Sequence, residues 1–443
     1  MYSRKTWLDR RRQWMQGPIS PAAAASSSSS RTPSSQLSVL RQESGGSHIA
    51  ILNRLLNTLK ENEVPGPQLF RLRQEFSEPL GEGGEGNVRA IDRECAARYR
   101  KMGKNMRERW PVELIAIKQY QSRREWTTGG QKLKLGYTTS AGLDDSDLGS
   151  RFRAAECEIL ALSPSLFREN PNIVQLLGWG LCLDTLEDAQ SSCCRGVQVP
   201  LLVLERADMN FLQFLRQLFP DNQRLDASAA TSRRLEHGTQ TSGFANAIQG
   251  LGRTVLQWTG IEVDSYETIR LLCMDIGHGL QSLHEHDFTH GDLKPTNVLI
   301  FRTPTRWLAK LCDFGCAFGK PTNVISAAGT PGTPTCRQRY LGTPDWQRRR
   351  DEASDEHDYD GLQNCDLYVY GLLVWSAFCL RGEPPPSKTW EAARADLGEL
   401  ERRARWSTAE NKRWISHRVG KLLDSAMASP LARSRRPWVH LLG

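Results

Sequence analysis

Three polar residues in the C-terminal half could carry acid–base and metal chemistry. Asp292 and Asn297 lie five apart in the run His290-Gly291-Asp292-Leu293-Lys294-Pro295-Thr296-Asn297-Val298-Leu299-Ile300, and Asp313 follows 21 positions after Asp292 in Lys310-Leu311-Cys312-Asp313-Phe314-Gly315. One carboxylate can take a proton from a hydroxyl, while an amide oxygen and a second carboxylate suit a hard divalent cation. Further upstream, Gly81-Glu82-Gly83-Gly84-Glu85-Gly86-Asn87-Val88 could bring main-chain N–H groups close to a polyphosphate with no Cβ in the way. By itself that string reads first as an ordinary hairpin turn. Lys118, at the end of the apolar run Leu114-Ile115-Ala116-Ile117, could present a fixed cation to such phosphates.

These groups need rigid mounts. A helix with Ile269, Leu272, Ile276, Leu280 and Leu283 on one face precedes the Asp292 loop, which then runs into the strand-like Val298-Leu299-Ile300. Lys118 needs a carboxylate partner, and the helical run Arg153 to Leu160 offers Glu156 and Glu158. Spacing to Leu160 favours Glu156. Short β-like runs with glycine turns give way to helices from about residue 76 onward, an α+β pattern. Two stretches, 127–150 and 221–262, read as surface insertions.

Before residue 76 the composition differs. Residues 1–46, with Ala22 to Ala25 and Ser26 to Ser30, hold too few large apolar groups to order themselves. The main reading is a regulatory or solvating tail, with an organelle transit peptide, which the Arg- and Ser-rich character would also suit, as the alternative. Over 47–75 an amphipathic helix is predicted, with Leu52, Leu55, Leu56 and Leu59 on one face and Ser47 as cap, then a linker after Pro65-Gly66-Pro67. The helix should pack on the folded domain.

The whole chain has 443 residues, 39% of them hydrophobic and 24% charged, enough apolar material for a core. Its longest uncharged apolar stretch, Leu367 to Leu380, has 14 residues, short of the roughly 20 a membrane span needs. Of the net charge of +8, residues 1–60 carry +7, so the basic excess belongs to the tail. Only Trp7 and Trp14 interleave those charges, and nucleic-acid binding is not expected. Eleven cysteines without metal-ligand spacing, and no apolar leader before them, fit a reducing intracellular compartment, taken as cytoplasmic.

Taken in order, these motifs resemble the eukaryotic protein kinase family, over roughly residues 76–443 without the two insertions. The resemblance implies a bilobal α+β fold, with a β-rich small lobe over about 76–207 and a helical large lobe over about 208–443. It implies Mg2+ and ATP as cofactors and a protein substrate with a Ser/Thr acceptor. Gly81, Gly83, Gly86 and Val88 would cover the phosphates. Ala116, Leu204, Glu205 and Ala207 would surround adenine, since Leu201-Leu202-Val203-Leu204-Glu205 is similar to the strand entering the family's hinge. Lys118, held by Glu156, would orient the α- and β-phosphates; Asn297 and Asp313 would hold magnesium; Asp292 would be the base and Lys294 would steady the γ-phosphate. Pro171-Asn172-Ile173-Val174 resembles the strand entry after the regulatory helix, Gly342-Thr343-Pro344-Asp345-Trp346 the substrate-docking end of the activation segment, and Cys365 to Gly371 a buried helix whose Asp366 anchors the catalytic loop.

The sequence departs from the family at three points. Gly291 stands where many kinases have Arg, so switching through an activation-loop phosphate is not expected. Arg348 to Arg350 replace the Ala-Pro-Glu triplet, whose Glu would pair with Arg436 near Pro437; Asp351 or Glu352 could substitute. The span from Lys118 to Glu156 is long. Two alternatives accompany the main reading: a nucleotide-binding scaffold with impaired catalysis, and a small-molecule phosphotransferase of kinase-like fold. Lys294 and Thr343 point to serine/threonine rather than tyrosine acceptors.

Overall fold

The computed structural model describes residues 48–70, 76–82, 86–91, 114–120, 145–182, 199–219, 265–319, 338–347, 356–403, 409–427 and 442. The tail 1–46, the 221–262 insertion, Ser47, Gly83, Asp351, Glu352 and Arg436 lie outside them.

In chain order the first elements are α1 (His48–Glu61), β1 (Gln68–Phe70), β2 (Phe76–Glu82), β3 (Gly86–Ile91), β4 (Ile115–Tyr120), α2 (Asp145–Leu162), α3 (Ser165–Arg168), β5 (Leu176–Cys182) and β6 (Leu201–Glu205). Their six strands form one sheet in the order β1-β5-β6-β4-β3-β2. All neighbours are antiparallel except β1 and β5. Two boundaries differ from the sequence reading. The sheet takes in Gln68–Phe70, three residues too few to show a period of two within a stretch read as linker. The insertion read as 127–150 gives way to helix at Asp145, because its Asp, Ser and Gly content resembles a loop more than a helix start.

The second half contains β7 (Met209–Asn210), α4 (Phe211–Leu218), α5 (Ser265–Glu285), β8 (Phe288–Thr289), a 3₁₀ turn at Pro295–Asn297, β9 (Val298–Arg302), β10 (Trp307–Leu311), β11 (Phe318–Gly319) and β12 (Gln338–Arg339). A second 3₁₀ turn at Pro344–Trp346 leads to β13 (Glu356–His357), α6 (Tyr359–Cys379), α7 (Trp390–Arg403) and α8 (Ala409–Met427). The predicted face of α5 is in place: Ile269, Leu272, Ile276, Leu280 and Leu283 are all buried. Residues Tyr368 to Phe378 of α6 are buried without a break, as a helix through the middle of a core must be. Its first turn is capped by Asp358, which accepts from Gly361 N at 2.8 Å. Short sheets β10-β9-β7 and β11-β8 pack on this helical part.

The two regions meet along β10. Ile173 bridges to Leu311, Val174 N donates to Leu311 O at 2.9 Å, and Leu311 N donates to Asn172 O at 2.9 Å. A Cβ on Gly279 of α5 would stand 2.7 Å from Asn172 O, so the helix crosses this junction at glycine contact distance. Both groups of elements thereby fix the strand that leads to Asp313.

Candidate active site

Lys118 lies within β4, facing Val88 of β3 and Leu202 of β6 across the ladder. The strand continues to Tyr120, past the end read from sequence, and its residues are almost uniformly buried. A buried ammonium requires partners. Lys118 Nζ donates to Glu158 Oε2 at 2.5 Å and to Asp313 Oδ1 at 2.8 Å. The Tyr120 hydroxyl donates to the same Glu158 oxygen at 2.8 Å. Burial would lower the Lys118 pKa, but the charges of Asp313 and Glu158 together hold it above the usual lysine range. Burial raises Asp313, yet the adjacent Lys118 charge leaves its carboxyl below the usual range.

The expectation that Glu156 pairs with Lys118 is therefore corrected: the partner is Glu158. Residues two positions apart on a helix differ by about 200° of rotation, so Glu156 faces the other way. Its Oε1 accepts from Arg54 Nε of α1 at 3.2 Å.

Asp313 has φ = 65°, a left-handed backbone that Asp tolerates better than most residues. It is held there from both sides. Cys312 N donates to Asn297 O at 3.0 Å, and Phe314, fully buried, packs its ring 5.1 Å from that of His290. His290 Nε2 donates to Cys312 O at 3.1 Å and Nδ1 accepts from Asp292 N at 3.3 Å, which satisfies one neutral tautomer. Burial depresses the pKa of this imidazole accordingly.

The Asp292 loop is assembled by hydrogen bonds to carboxylates. Asp366, fully buried on α6, accepts from His290 N at 2.7 Å, Gly291 N at 3.0 Å, the Tyr340 hydroxyl at 2.8 Å and His284 Nε2 at 3.0 Å. Asp292 Oδ1 accepts from Thr343 N at 2.6 Å and Thr343 Oγ1 at 2.8 Å; Oδ2 accepts from Lys294 Nζ at 2.6 Å and Asn297 Nδ2 at 3.1 Å. Lys294 Nζ also reaches Thr343 Oγ1 at 2.6 Å, so Asp292, Lys294, Asn297 and Thr343 form one cluster. The turn carrying Thr343 is also held by Lys388, in the segment after α6, which donates to Pro344 O at 3.0 Å and Gln347 O at 2.7 Å. Sequence reasoning missed Lys388, since nothing in its spacing links it to residue 344.

Gly291 has a structural reason. Its φ is +79°, and a Cβ there would stand 2.1 Å from Cys316 O. Gly291→Ala is expected to cost at least about 2 kcal/mol, combining left-handed strain with a backbone clash. That should lower the thermal midpoint by several degrees; an unchanged midpoint in a melting scan would refute the close approach.

Two residues before Lys118, Ala116 of β4 faces Leu204 of β6, and both are buried. Glu205 N donates to Gln175 O at 3.2 Å and Arg206 N to Leu114 O at 2.8 Å. Ala207 N donates to no main-chain carbonyl among the described residues. Behind this edge the Glu205 side chain, 3% exposed, accepts from Lys310 Nζ of β10 at 2.6 Å and from Gln175 N at 2.9 Å. Gly81 and Val88 face each other across the β2–β3 hairpin, with Gly86 opening β3. Among the described residues nothing lies within 4 Å of a Cβ built at Gly81.

The sequence-predicted residues Lys118, Asp292, Lys294, Asn297 and Asp313 thus converge through linked hydrogen bonds, with Glu158 in place of Glu156. Among the described residues no helix is long and apolar enough to cross a membrane.

Comparison with known proteins gives the same direction. Residues 254–435 match the protein kinase domain family. The chain is 29% identical over 125 residues, 27% of its length, to a probable serine/threonine-protein kinase SIS8 of Arabidopsis thaliana. It is 27% identical over 180 residues, 38% of its length, to the sporulation protein kinase mde3 of Schizosaccharomyces pombe. To MAP kinase-activated protein kinase 2 of Oryctolagus cuniculus it is 31% identical over 110 residues, 25% of its length. These matches span 10%, 29% and 25% of the respective relatives. The family match takes in Asp292, Asn297, Asp313 and Asp366 but begins downstream of Lys118 and Glu158, which geometry alone joins to it. The loop, the strand and the helix that anchors them all lie inside the matched segment, so residues 254–435 are similar to a protein kinase domain.

Proposed function

We propose that this protein transfers the γ-phosphoryl group of ATP, with magnesium, to serine or threonine hydroxyls of protein substrates. One observation carries the reading: Lys118 is shared between Glu158 and Asp313, while Asp292 stands in a separate cluster tied to Asp313 through Asn297 and Cys312. Phosphoryl transfer needs alignment and charge neutralisation more than covalent chemistry, and this arrangement offers both.

Lys118 would orient the α- and β-phosphates. Asp313, and Asn297 through its amide oxygen, would hold magnesium, which supplies neutralisation of charge on the phosphates. Among the described residues no group of three or more His, Cys, Asp or Glu could hold a metal unaided. Two oxygen donors completed by substrate phosphates is the usual way proteins bind this ion. Ala207 N–H, which donates to no main-chain carbonyl among the described residues, would be offered to adenine, with Ala116, Leu204 and the Glu205 carbonyl around it.

Asp292 would take the acceptor proton. Its oxygens already receive four hydrogen bonds, so an incoming hydroxyl must replace one of them. Lys294, a flexible ammonium, is the donor suited to leave and follow the transferring phosphate. Thr343 closes the same cluster from the docking side and supports serine/threonine acceptors. In this reading the sheet and the helical part form two lobes around the nucleotide.

The test is transfer of labelled phosphate from ATP with magnesium to generic protein acceptors. Wild type should label serine and threonine, and Asp292→Asn should lose at least about 10²-fold in rate. Label found only on small alcohols would replace the proposal with small-molecule phosphotransfer. Nucleotide binding without transfer would make the chain a scaffold.

A further inference from the structure

The helix bearing Glu158 is held on two sides. Glu158 faces Lys118, while Glu156 faces Arg54 of α1, an element upstream of both the family match and the sheet. Ile51, Leu55 and Leu59, one helical turn apart, are buried in the same core cluster as Phe152, Ala155 and Ile159 of α2. The far end of α1 is fastened as well. Val64 N donates to Leu59 O at 2.8 Å, Arg168 Nη2 donates to Asn62 O at 2.9 Å, and Trp179 N of β5 donates to Pro65 O at 3.0 Å. A Cβ on Gly66 would strike the Trp179 ring at 2.5 Å, so this segment lies directly on the sheet.

We propose that α1 is a built-in positioning element for the active site, and that Arg54 acts through Glu156 to set the rotation of α2 at which Glu158 meets Lys118. This rests on the phosphotransfer reading above. The argument is geometric. Glu158 approaches Lys118 and Tyr120 with one oxygen, and its other oxygen, Oε1, is buried without a hydrogen-bond partner among the described residues. Such a carboxylate is costly to keep in place, and an unrestrained helix would relieve it by turning. An ion pair on the opposite face, 3.2 Å long with Glu156 almost fully buried, resists that rotation. The hydrophobic seam supplies adhesion, and the ion pair supplies register. Arg54 is thus a positioning residue that touches neither nucleotide nor acceptor.

The test uses the full chain with Arg54→Glu, the charge exchange Arg54→Glu with Glu156→Arg, and Arg54→Glu combined with Glu158→Gln. Arg54→Glu should lower kcat about 3- to 10-fold, a typical span for coupling between sites. Charge exchange should recover most of that loss. In the Glu158→Gln background, Arg54→Glu should lower kcat no further, because the group it positions is already gone. Equal losses in both backgrounds would reduce Arg54 to general stability and overturn the proposal, as would an unchanged kcat.

Amide hydrogen exchange over residues 156–160 gives a readout independent of turnover. It should quicken in Arg54→Glu and return toward wild type in the exchange variant. If wild type transfers no phosphate at all, the phosphotransfer reading fails while exchange still decides this one: faster exchange supports positioning by α1, and unaltered exchange refutes it.

Discussion

Asp313→Asn is expected to lower kcat by about 10²–10³-fold, roughly 3–4 kcal/mol, the usual cost of losing a well-placed electrostatic group at such a centre. The carboxylate has two duties. One oxygen fixes Lys118 at 2.8 Å, and the charge as a whole would hold magnesium. Asparagine keeps the shape and, through its side-chain amide, the preference for φ = 65°. The fold should therefore survive, with Lys118 still paired to Glu158. Initial rates at saturating ATP, alongside a melting scan, separate the two effects. Turnover at the wild-type rate would remove Asp313 from the mechanism.

Glu158→Gln and Glu156→Gln form the second comparison, and they should not be equivalent. Glu158→Gln is expected to reduce kcat/KM by about 10²-fold, because Lys118 then answers to Asp313 alone and shifts toward it. Glu156→Gln removes a charge that touches no reacting group, and its effect should stay within about 10-fold. The ratio of the two kcat/KM values is the measurement. A larger loss for Glu156→Gln would contradict the pairing found at Lys118.

That comparison also shows where the sequence stops being informative. Asp292, Lys294, Asn297 and Asp313 are legible because they sit in short loops between strongly patterned elements, so spacing in the chain maps onto spacing in space. Glu156 and Glu158 occupy a helix that is buried from Ala155 through Leu162 on every face. Helical periodicity distinguishes an apolar stripe from a wet one; with no wet stripe, spacing to Leu160 carries no information about which glutamate faces the lysine. The missing fact was the neighbour on the other side, α1, which lies about a hundred residues earlier. Lys388 and the Lys310–Glu205 pair were hidden for the same reason, since both act across contacts no local pattern encodes.

The α+β character and the anchoring helix α5 were legible from their periodicity, because each has one face to bury. The strand at Gln68–Phe70 was not, since three residues cannot display alternation and its parallel partner is remote. Around Gly291 the sequence showed an unusual residue but not its cause, which is the passage of Cys316 O across the space a side chain would need.

Gly342 repeats this theme: a Cβ there would stand 2.9 Å from Gly291 O. Main chain of the segment carrying Thr343 therefore approaches main chain of the loop carrying Asp292 at glycine distance, beside the Tyr340 ring, and the Asp292, Lys294 and Thr343 side chains tie the same two segments. Side chains can yield by hopping between rotamers, but bare main chain has none to hop between. With main-chain and side-chain contacts gathered at one point, loosening of this corner should register as fewer competent molecules and not as a slower version of each one.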